Sequence, residues 1–285
     1  MSSLKFAFLL FLLVHGVLAR GSRREEISFD QNYKVIYGGN HVVSLNQGKE
    51  IQLMMDSSSG SGFGSKMSYG SGFFHLRIKV PGRDSAGVVT AYYLTSQGNG
   101  HDELDFEFLG NREGKPYTLQ TNVYVNGEGN REQRLHLWFD PTANFHDYRI
   151  LWNPHQIVFY VDRLPIRVYK NKSNVGVGYP SKTMQIKASL WDGDSWATDG
   201  GQAKINWSYA PFKANFQGFD VSGCQVQSLN DHQHCVSDNY WWNSHKYWQL
   251  DPAQQKEYEN VKQKYITYDY CTDKHRYPTP PLECL

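Results

Sequence analysis

Residues 101–110 read HDELDFEFLG. Asp102, Glu103, Asp105 and Glu107 put four carboxylates into six positions, with no Lys or Arg among the ten residues to neutralise them. Side chains alternate along a β-strand, so His101, Glu103, Asp105 and Glu107 share one face while Leu104, Phe106 and Phe108 share the other. The apolar face predicts a strand docked on a core. The acidic face needs a separate reason, because neighbouring like charges repel and exposed strand faces usually mix signs.

Three readings of that face compete. A solvated outer face is the plainest. A calcium site is the weakest, since the spacing is not that of an EF-hand loop and three ligands on one flat strand cannot surround an ion. HDELD is not HExxH either, so no metal ligand set is expected. Glycoside chemistry fits best: retaining cleavage uses two carboxyl groups roughly 5–5.5 Å apart, one as nucleophile and one as acid/base. Positions i and i+4 of a strand lie about 13 Å apart at Cα, so Glu103 and Glu107 must lean together across a twisted sheet. Asp105 would stand between them, and repulsion would keep one carboxyl protonated while another stays charged.

The surrounding sequence repeats the strand pattern. FFHLRIKV (73–80) alternates strictly, GVVTAYYL (87–94) is apolar enough for burial on both faces, and YTLQTNVYV (117–125) sets Leu119, Thr121 and Val123 against Gln120, Asn122 and Tyr124. HQIVFYVDRLPIRVY (155–169) reads as two strands around a turn, and TMQIKASLW (183–191) places Met184, Ile186, Ala188 and Leu190 on one side. Gly, Asn and Pro clusters separate these runs. The expectation is an all-β fold, an antiparallel β-jelly-roll sandwich of the concanavalin-like kind. Beyond residue 215 the character changes: NYWWNSHKYWQL (239–250) is dense in aromatics, and Asp251-Pro252 starts a short helix with Tyr258, Val261 and Tyr265 at helical spacing.

The 285 residues carry 40% apolar and 20% charged side chains, enough for a sizeable core. A net charge of +1 gives no footprint for nucleic acid or for a membrane surface. The N-terminal Lys5, the apolar run to Leu18 and the small-residue pattern ending at Ala19 read as a signal peptide over residues 1–19 and a secreted chain. The divisions expected after it are a catalytic domain over 20–215 and an extension over 216–285. All four cysteines, Cys224, Cys235, Cys271 and Cys284, fall in that extension. An even number in a secreted chain suggests disulfides, and short spacings favour Cys224–Cys235 and Cys271–Cys284 among three connectivities; zinc is disfavoured by the lack of a CxxC pair. Sequons stand at Asn171 and Asn206. Asn171, in a Gly/Asn/Ser-rich loop, is the better glycan acceptor, and Asn206 sits in a segment that reads as a strand.

HDELDFEFLGN closely resembles the active-site strand of the plant xyloglucan endotransglucosylase/hydrolases of glycoside hydrolase family 16. LQTNVYVNGEGNRE, LWFDPT, PIRVYKN, SLWDGDSWAT and the C-terminal YDYC and PPLEC extend the likeness over nearly all of the chain after its leader. The resemblance implies Glu103 as nucleophile, Glu107 as acid/base and Asp105 as helper. It also implies substrate contacts from Glu107, from Gln120, Thr121 and Asn122, from Asn130, Arg131 and Glu132, from Ser195, Trp196 and Gly200, and from Arg276. Ser195 departs from the Asp-Trp that family members commonly carry, and NRE replaces the sequon that many have after the catalytic strand. Taken singly, Gln120 and Asn122 also read as exposed strand residues, Trp191 and Trp196 as core, and Arg131 and Arg276 as surface arginines. The implied substrate is xyloglucan as donor and a xyloglucan chain end as acceptor, with other β-1,4-glucans as further candidates, in the plant cell wall and apoplast. A monomer without cofactor, nucleic-acid partner or membrane attachment is expected. A plain β-glucan endohydrolase and a non-catalytic carbohydrate-binding protein are the competing functions.

Overall fold

The computed structural model describes residues 27–227 and 233–285, so the leader expected over residues 1–19 lies outside the described residues. A one-turn helix α1 (Phe29–Asn32) leads into two stacked sheets. The front sheet runs, in spatial order, β1 (Tyr33–Tyr37), β4 (Ser61–Ser65), β13 (Gln185–Asp192), β6 (Val88–Thr95), β7 (Glu103–Leu109), β8 (Thr118–Tyr124), β9 (Gln133–His136) and β16 (Ile266–Asp269). The back sheet runs β12 (Leu164–Lys170), β11 (Gln156–Val161), β10 (His146–Trp152), β5 (Ser68–Lys79), β14 (Phe212–Gln217), β3 (Glu50–Met55) and β2 (Val42–Leu45), with β15 (Ser222–Val226) paired to β5. The ladders are antiparallel. The antiparallel sandwich expected from the alternating runs is the fold that forms.

Packing follows from the alternation. Phe106 and Phe108, on the apolar face of β7, are fully buried and turned toward the back sheet. Phe106 meets Phe159 edge-on at 5.2 Å and Tyr148 at 5.7 Å, and Phe108 meets Tyr148 at 4.7 Å. Burial of each such ring stabilises by about 1.5–3 kcal/mol, and edge-to-face geometry adds about 0.5–1.5 kcal/mol. The same contacts press β7 onto the core, which leaves its acidic face pointing the other way.

The tail joins this sandwich. Helix α2 (Pro252–Tyr265) begins where Asp251-Pro252 places it. Asp251 Oδ1 accepts from Gln254 N at 2.8 Å, and Gln254 Oε1 accepts from Asp251 N at 3.3 Å, a reciprocal cap with Pro252 in the first turn. Val261 is buried in the main core and Tyr265 lies against Trp138 at 5.2 Å. The chain leaves α2 directly into β16, which pairs with β9 and extends the front sheet. The disulfides close Cys224–Cys235 and Cys271–Cys284, and β14 crosses residue 215, where the change of character was placed.

One local expectation is corrected. Asn206 is not in a strand: it is exposed and caps the 3₁₀ turn Trp207–Tyr209, its Oδ1 accepting from Ser208 N at 3.1 Å. The alternation there is short and ends in a Pro, so no ladder forms. Asn171 is half-buried and its Nδ2 donates to Pro154 O at 2.8 Å.

Phe106→Ala should lower unfolding free energy by about 3–5 kcal/mol in a denaturant titration. A loss under about 1 kcal/mol, the range of a surface change, would mean that this ring does not anchor the carboxylate strand.

Candidate active site

Strand β7 sits inside the front sheet between β6 and β8, so its acidic face borders other strands on both sides. Glu103, Asp105 and Glu107 line one cleft of about 230 Å³ with Ala91, Tyr93, Tyr124, Ser189 and Trp191. The small Ala91 stands opposite Glu107, and Tyr93 opposite Asp105. Toward β1 the floor is low because β4 contributes Gly62 and Gly64. A Cβ on Gly62 would lie 2.4 Å from Tyr37 Cε1, so only glycine lets that ring lie across the strand. Ser189 hydrogen-bonds both Tyr37 and Tyr93, which ties the wall of the cleft to its floor.

The electrostatics divide the carboxylates. Burial pushes the Asp105 pKa well up; the charges of Glu103 and Glu107 and a hydrogen bond to Glu103 add to this, and the charge of Arg167 opposes it. Asp105 is therefore held as the neutral acid and donates to Glu103. Burial also raises Glu107, with the charges of Glu103 and Glu132 adding to it. Gln120 Nε2, which donates to Glu107 Oε2 at 2.7 Å, and the charge of Arg134 pull the other way. The arrangement places Glu107, whose proton is held more tightly than usual, and Glu103, hydrogen-bonded to Asp105, on one strand face. That is a set able to deliver a proton at one point of a bound glycoside and a nucleophile at another.

From Glu107 a polar row crosses the sheet. Glu107 stands opposite Gln120, Gln120 opposite Arg134, and Arg134 opposite Tyr268. Arg134 Nε donates to Gln120 Oε1 at 2.7 Å, and its guanidinium lies over the Tyr268 ring at 5.6 Å. Tyr268 comes from the C-terminal extension, as does Arg276 beyond it. Arg276 donates to Glu132 Oε2 at 2.7 Å and to Asn130 Oδ1 at 2.5 Å. Thus Glu103, Asp105 and Glu107 meet in the cleft, Gln120 is buried beside Glu107 and holds it by a hydrogen bond, and Asn130, Glu132 and Arg276 form a clamp farther along the same side.

Other expected contacts are placed differently. Thr121 is turned away from the cleft and fully buried, because the alternation that puts Gln120 and Asn122 on the face of the carboxylates sends it inward. Asn122 is nearly buried, and its Oδ1 accepts from Val123 N and Arg131 N at 2.9 and 3.1 Å. Arg131 is spent on structure: its Nε donates to Glu283 Oε1 at 2.7 Å and its Nη1 to Glu128 O at 2.7 Å. Trp196 is half-buried and tilted against Trp191, whose ring lines the cleft, at 6.0 Å. Ser195 and Gly200 are exposed on the loop that follows. Thr198 Oγ1 donates to Gly110 O at 2.7 Å and fastens this loop to the end of β7.

Two segments of the chain match known family models. Residues 29–209 match "Glycosyl hydrolases family 16" and residues 236–284 match "Xyloglucan endo-transglycosylase (XET) C-terminus". The chain belongs to the xyloglucan endotransglucosylase/hydrolase family. It is 59% identical over 288 residues to xyloglucan endotransglucosylase/hydrolase protein 2 of Arabidopsis thaliana, covering 100% of this chain and 99% of that protein. Protein 3 of the same plant is 60% identical over 259 residues, with 90% and 89% covered. Among solved structures, a Bacillus licheniformis β-glucanase matches with a TM-score of 0.54 at 24% identity, covering 65% of this chain and 89% of that one. The Crh5 transglycosylase matches with a TM-score of 0.55 at 19% identity, covering 68% and 79%; these two likenesses bear on the fold alone.

In this xyloglucan endotransglucosylase/hydrolase the sequence reading missed Tyr93, Arg134, Tyr268 and Asp102. The first three are ordinary strand residues until pairing brings them beside β7. Asp102 is buried just before Glu103, where its Oδ1 accepts from Asn126 N at 2.9 Å and its Oδ2 from Ser181 N and Lys182 N at 2.8 and 2.9 Å. It fixes the entry of the carboxylate strand to two loops. The missed signal was parity: Asp102 is the one carboxylate of the four on the inward face.

A carboxyl whose pKa is raised by folding binds its proton more tightly folded than unfolded, so its contribution to stability falls as pH rises. Asp105→Asn, which removes that ionisation, should be more stable than the wild type at pH 7, and the gap should close as pH falls toward about 4. Thermal unfolding across this range tests it; a gap independent of pH would show that Asp105 is not under this strain.

Proposed function

We propose that the enzyme cleaves the β-1,4-glucan backbone of xyloglucan and rejoins the released glycosyl end to another xyloglucan chain. The observation that carries this reading is one strand face that brings Glu103, Asp105 and Glu107 into a single cleft, in a chain related over its full length to proteins named for this activity. We assign Glu103 as nucleophile, Glu107 as acid/base and Asp105 as the donor that steadies Glu103.

In the first step a Glu103 oxygen bonds to the anomeric carbon, the glycosidic C–O bond breaks, and the leaving oxygen takes the Glu107 proton. Asp105 stays hydrogen-bonded to Glu103 and orients it toward the sugar. In the second step Glu107, now the base, takes the proton from an incoming hydroxyl whose oxygen attacks the same carbon, and the ester to Glu103 breaks. Configuration is retained because the carbon is inverted twice.

What favours a sugar hydroxyl over water is positioning. Gln120, Arg134, Tyr268 and the Asn130–Arg276–Glu132 clamp offer hydrogen-bonding groups and a ring on the Glu107 side of the strand, which we assign to the acceptor. A bound acceptor meets the glycosyl-enzyme at high effective concentration and in a fixed orientation, an advantage that abundant but unpositioned water lacks. Trp191, Tyr93 and Tyr37 line the opposite side, which we assign to the donor. Xyloglucan is a wall polymer outside the cell, so the reading places the enzyme in the apoplast. The two disulfides suit that compartment, and no helix among the described residues is long and apolar enough to cross a membrane.

The test is the purified protein with polymeric xyloglucan and a fluorescent xyloglucan oligosaccharide, following label entering polymer and new reducing ends together. Transfer of label with few reducing ends is expected. Reducing ends that rise regardless of the oligosaccharide would make the enzyme a hydrolase, and neither signal would remove the catalytic assignment. Glu103→Gln should abolish both signals. Glu107→Gln should cost about 10²–10⁴ in rate on polymer and much less with a donor whose leaving group needs no proton; equal losses on both donors would contradict its role as acid.

A further inference from the structure

Arg167 is 1% exposed, among the most completely buried side chains of the molecule. A buried guanidinium is costly unless its donors are satisfied, and here the acceptors are carbonyls and a hydroxyl rather than a carboxylate. Nη1 donates to Thr121 O at 2.8 Å and to Thr121 Oγ1 at 3.0 Å, and Nη2 donates to Arg131 O at 2.6 Å. The plane of the group lies near two rings, Phe159 at 5.7 Å and Tyr270 at 5.8 Å.

Each of these partners belongs to a different part of the site. Thr121 is the inward residue between Gln120 and Asn122 on β8, and it pairs across the ladder with Phe106 behind the carboxylates. Arg131 lies between Asn130 and Glu132, the two residues that hold Arg276. Phe159 packs on Phe106 at 5.2 Å. Tyr270 follows β16 and donates its N–H to Glu132 O at 3.2 Å. One planar fork thus joins the middle of β8 to the loop of the clamp, with a ring of the extension close beside it. The charge of Arg167 also opposes the effect of burial at Asp105.

We propose that Arg167 is a positioning residue for transfer: it holds the clamp half of the cleft in register with the strand that carries Gln120, without touching substrate itself. This rests on the transferase reading above. Hydrolysis needs the carboxylates of β7 but no ordered acceptor, whereas transfer needs both. Loosening the fork should therefore depress transfer more than hydrolysis, since a displacement of about 1 Å in a positioned reactant can cost up to about 10²-fold. Lys keeps the charge but not the two-armed geometry.

The experiment measures label transfer and new reducing ends in the same reaction for the wild type, Arg167→Lys and Thr121→Val. Their ratio does not depend on how much of a variant is folded, so a purely structural role leaves it unchanged. For Arg167→Lys the ratio should fall about tenfold, with a higher KM for the oligosaccharide acceptor. Thr121→Val, which removes one acceptor of the fork and little else, should move it in the same direction by a smaller factor. If Arg167→Lys does not accumulate as folded protein, Thr121→Val decides. An unchanged ratio in an active wild-type background overturns the positioning role and leaves the transferase reading standing. A wild type with neither signal overturns the functional reading, and this inference with it.

Discussion

Three carboxylates on one strand face, short of water and short of counter-charge, are the constraint around which the site is built. Burial and mutual repulsion push Asp105 and Glu107 toward their neutral forms. A proton held on Asp105 makes it a donor to Glu103 instead of a third repelling charge. The chain can carry this acidic face because the other face of the same strand is committed to the core, where Phe106 and Phe108 meet Tyr148 and Phe159. A shift of register by one residue would send the carboxylates inward and the rings into solvent, so the hydrophobic pattern protects the chemistry.

The groups that counter the acidity come from other strands and are spaced across the sheet. Gln120 reaches Glu107, Arg134 reaches Gln120, and Tyr268 lies under Arg134. The last of these arrives on β16, so the C-terminal extension is part of the front sheet rather than an appended lobe. Its attachment is polar as well as apolar. Glu283 takes Arg131, Glu132 takes Arg276, and Val261 enters the main core. Arg167 stands where these attachments converge on the back of β8, and its charge is balanced by fixed carbonyl dipoles instead of a mobile acid.

Much of the fold was legible because period-two alternation is a local property. The strands at 73–80, 87–94, 117–125 and 183–191 all form, and the helix starts at Asp251-Pro252, where a local cap could be read. Strand β16 was not legible, because four residues after a helix carry too little pattern to signal a ladder. Asn206 was misread for the related reason that a few alternating residues do not make a strand without a partner edge. Within the site, Glu103, Asp105, Glu107 and Gln120 were legible from parity and from the family likeness. Thr121 was carried along with its neighbours, although its parity with Leu119 and Val123 already pointed inward.

The sequence alone determined which residues of each strand face the core and which face the cleft, since side-chain direction depends only on position along the strand. It also determined that β7 presents three carboxylates on one face, because they stand at every second position. Only the tertiary structure decided what stands beside them. Arg134 and Tyr268 join the row that begins at Glu107 through strand pairing between segments far apart in the chain, and Arg131 and Arg167 are equal as letters until burial and acceptors assign one to a half-buried ion pair with Glu283 and the other to carbonyls in the interior. Register between strands is set by the packing of whole sheets, and no single strand contains that information.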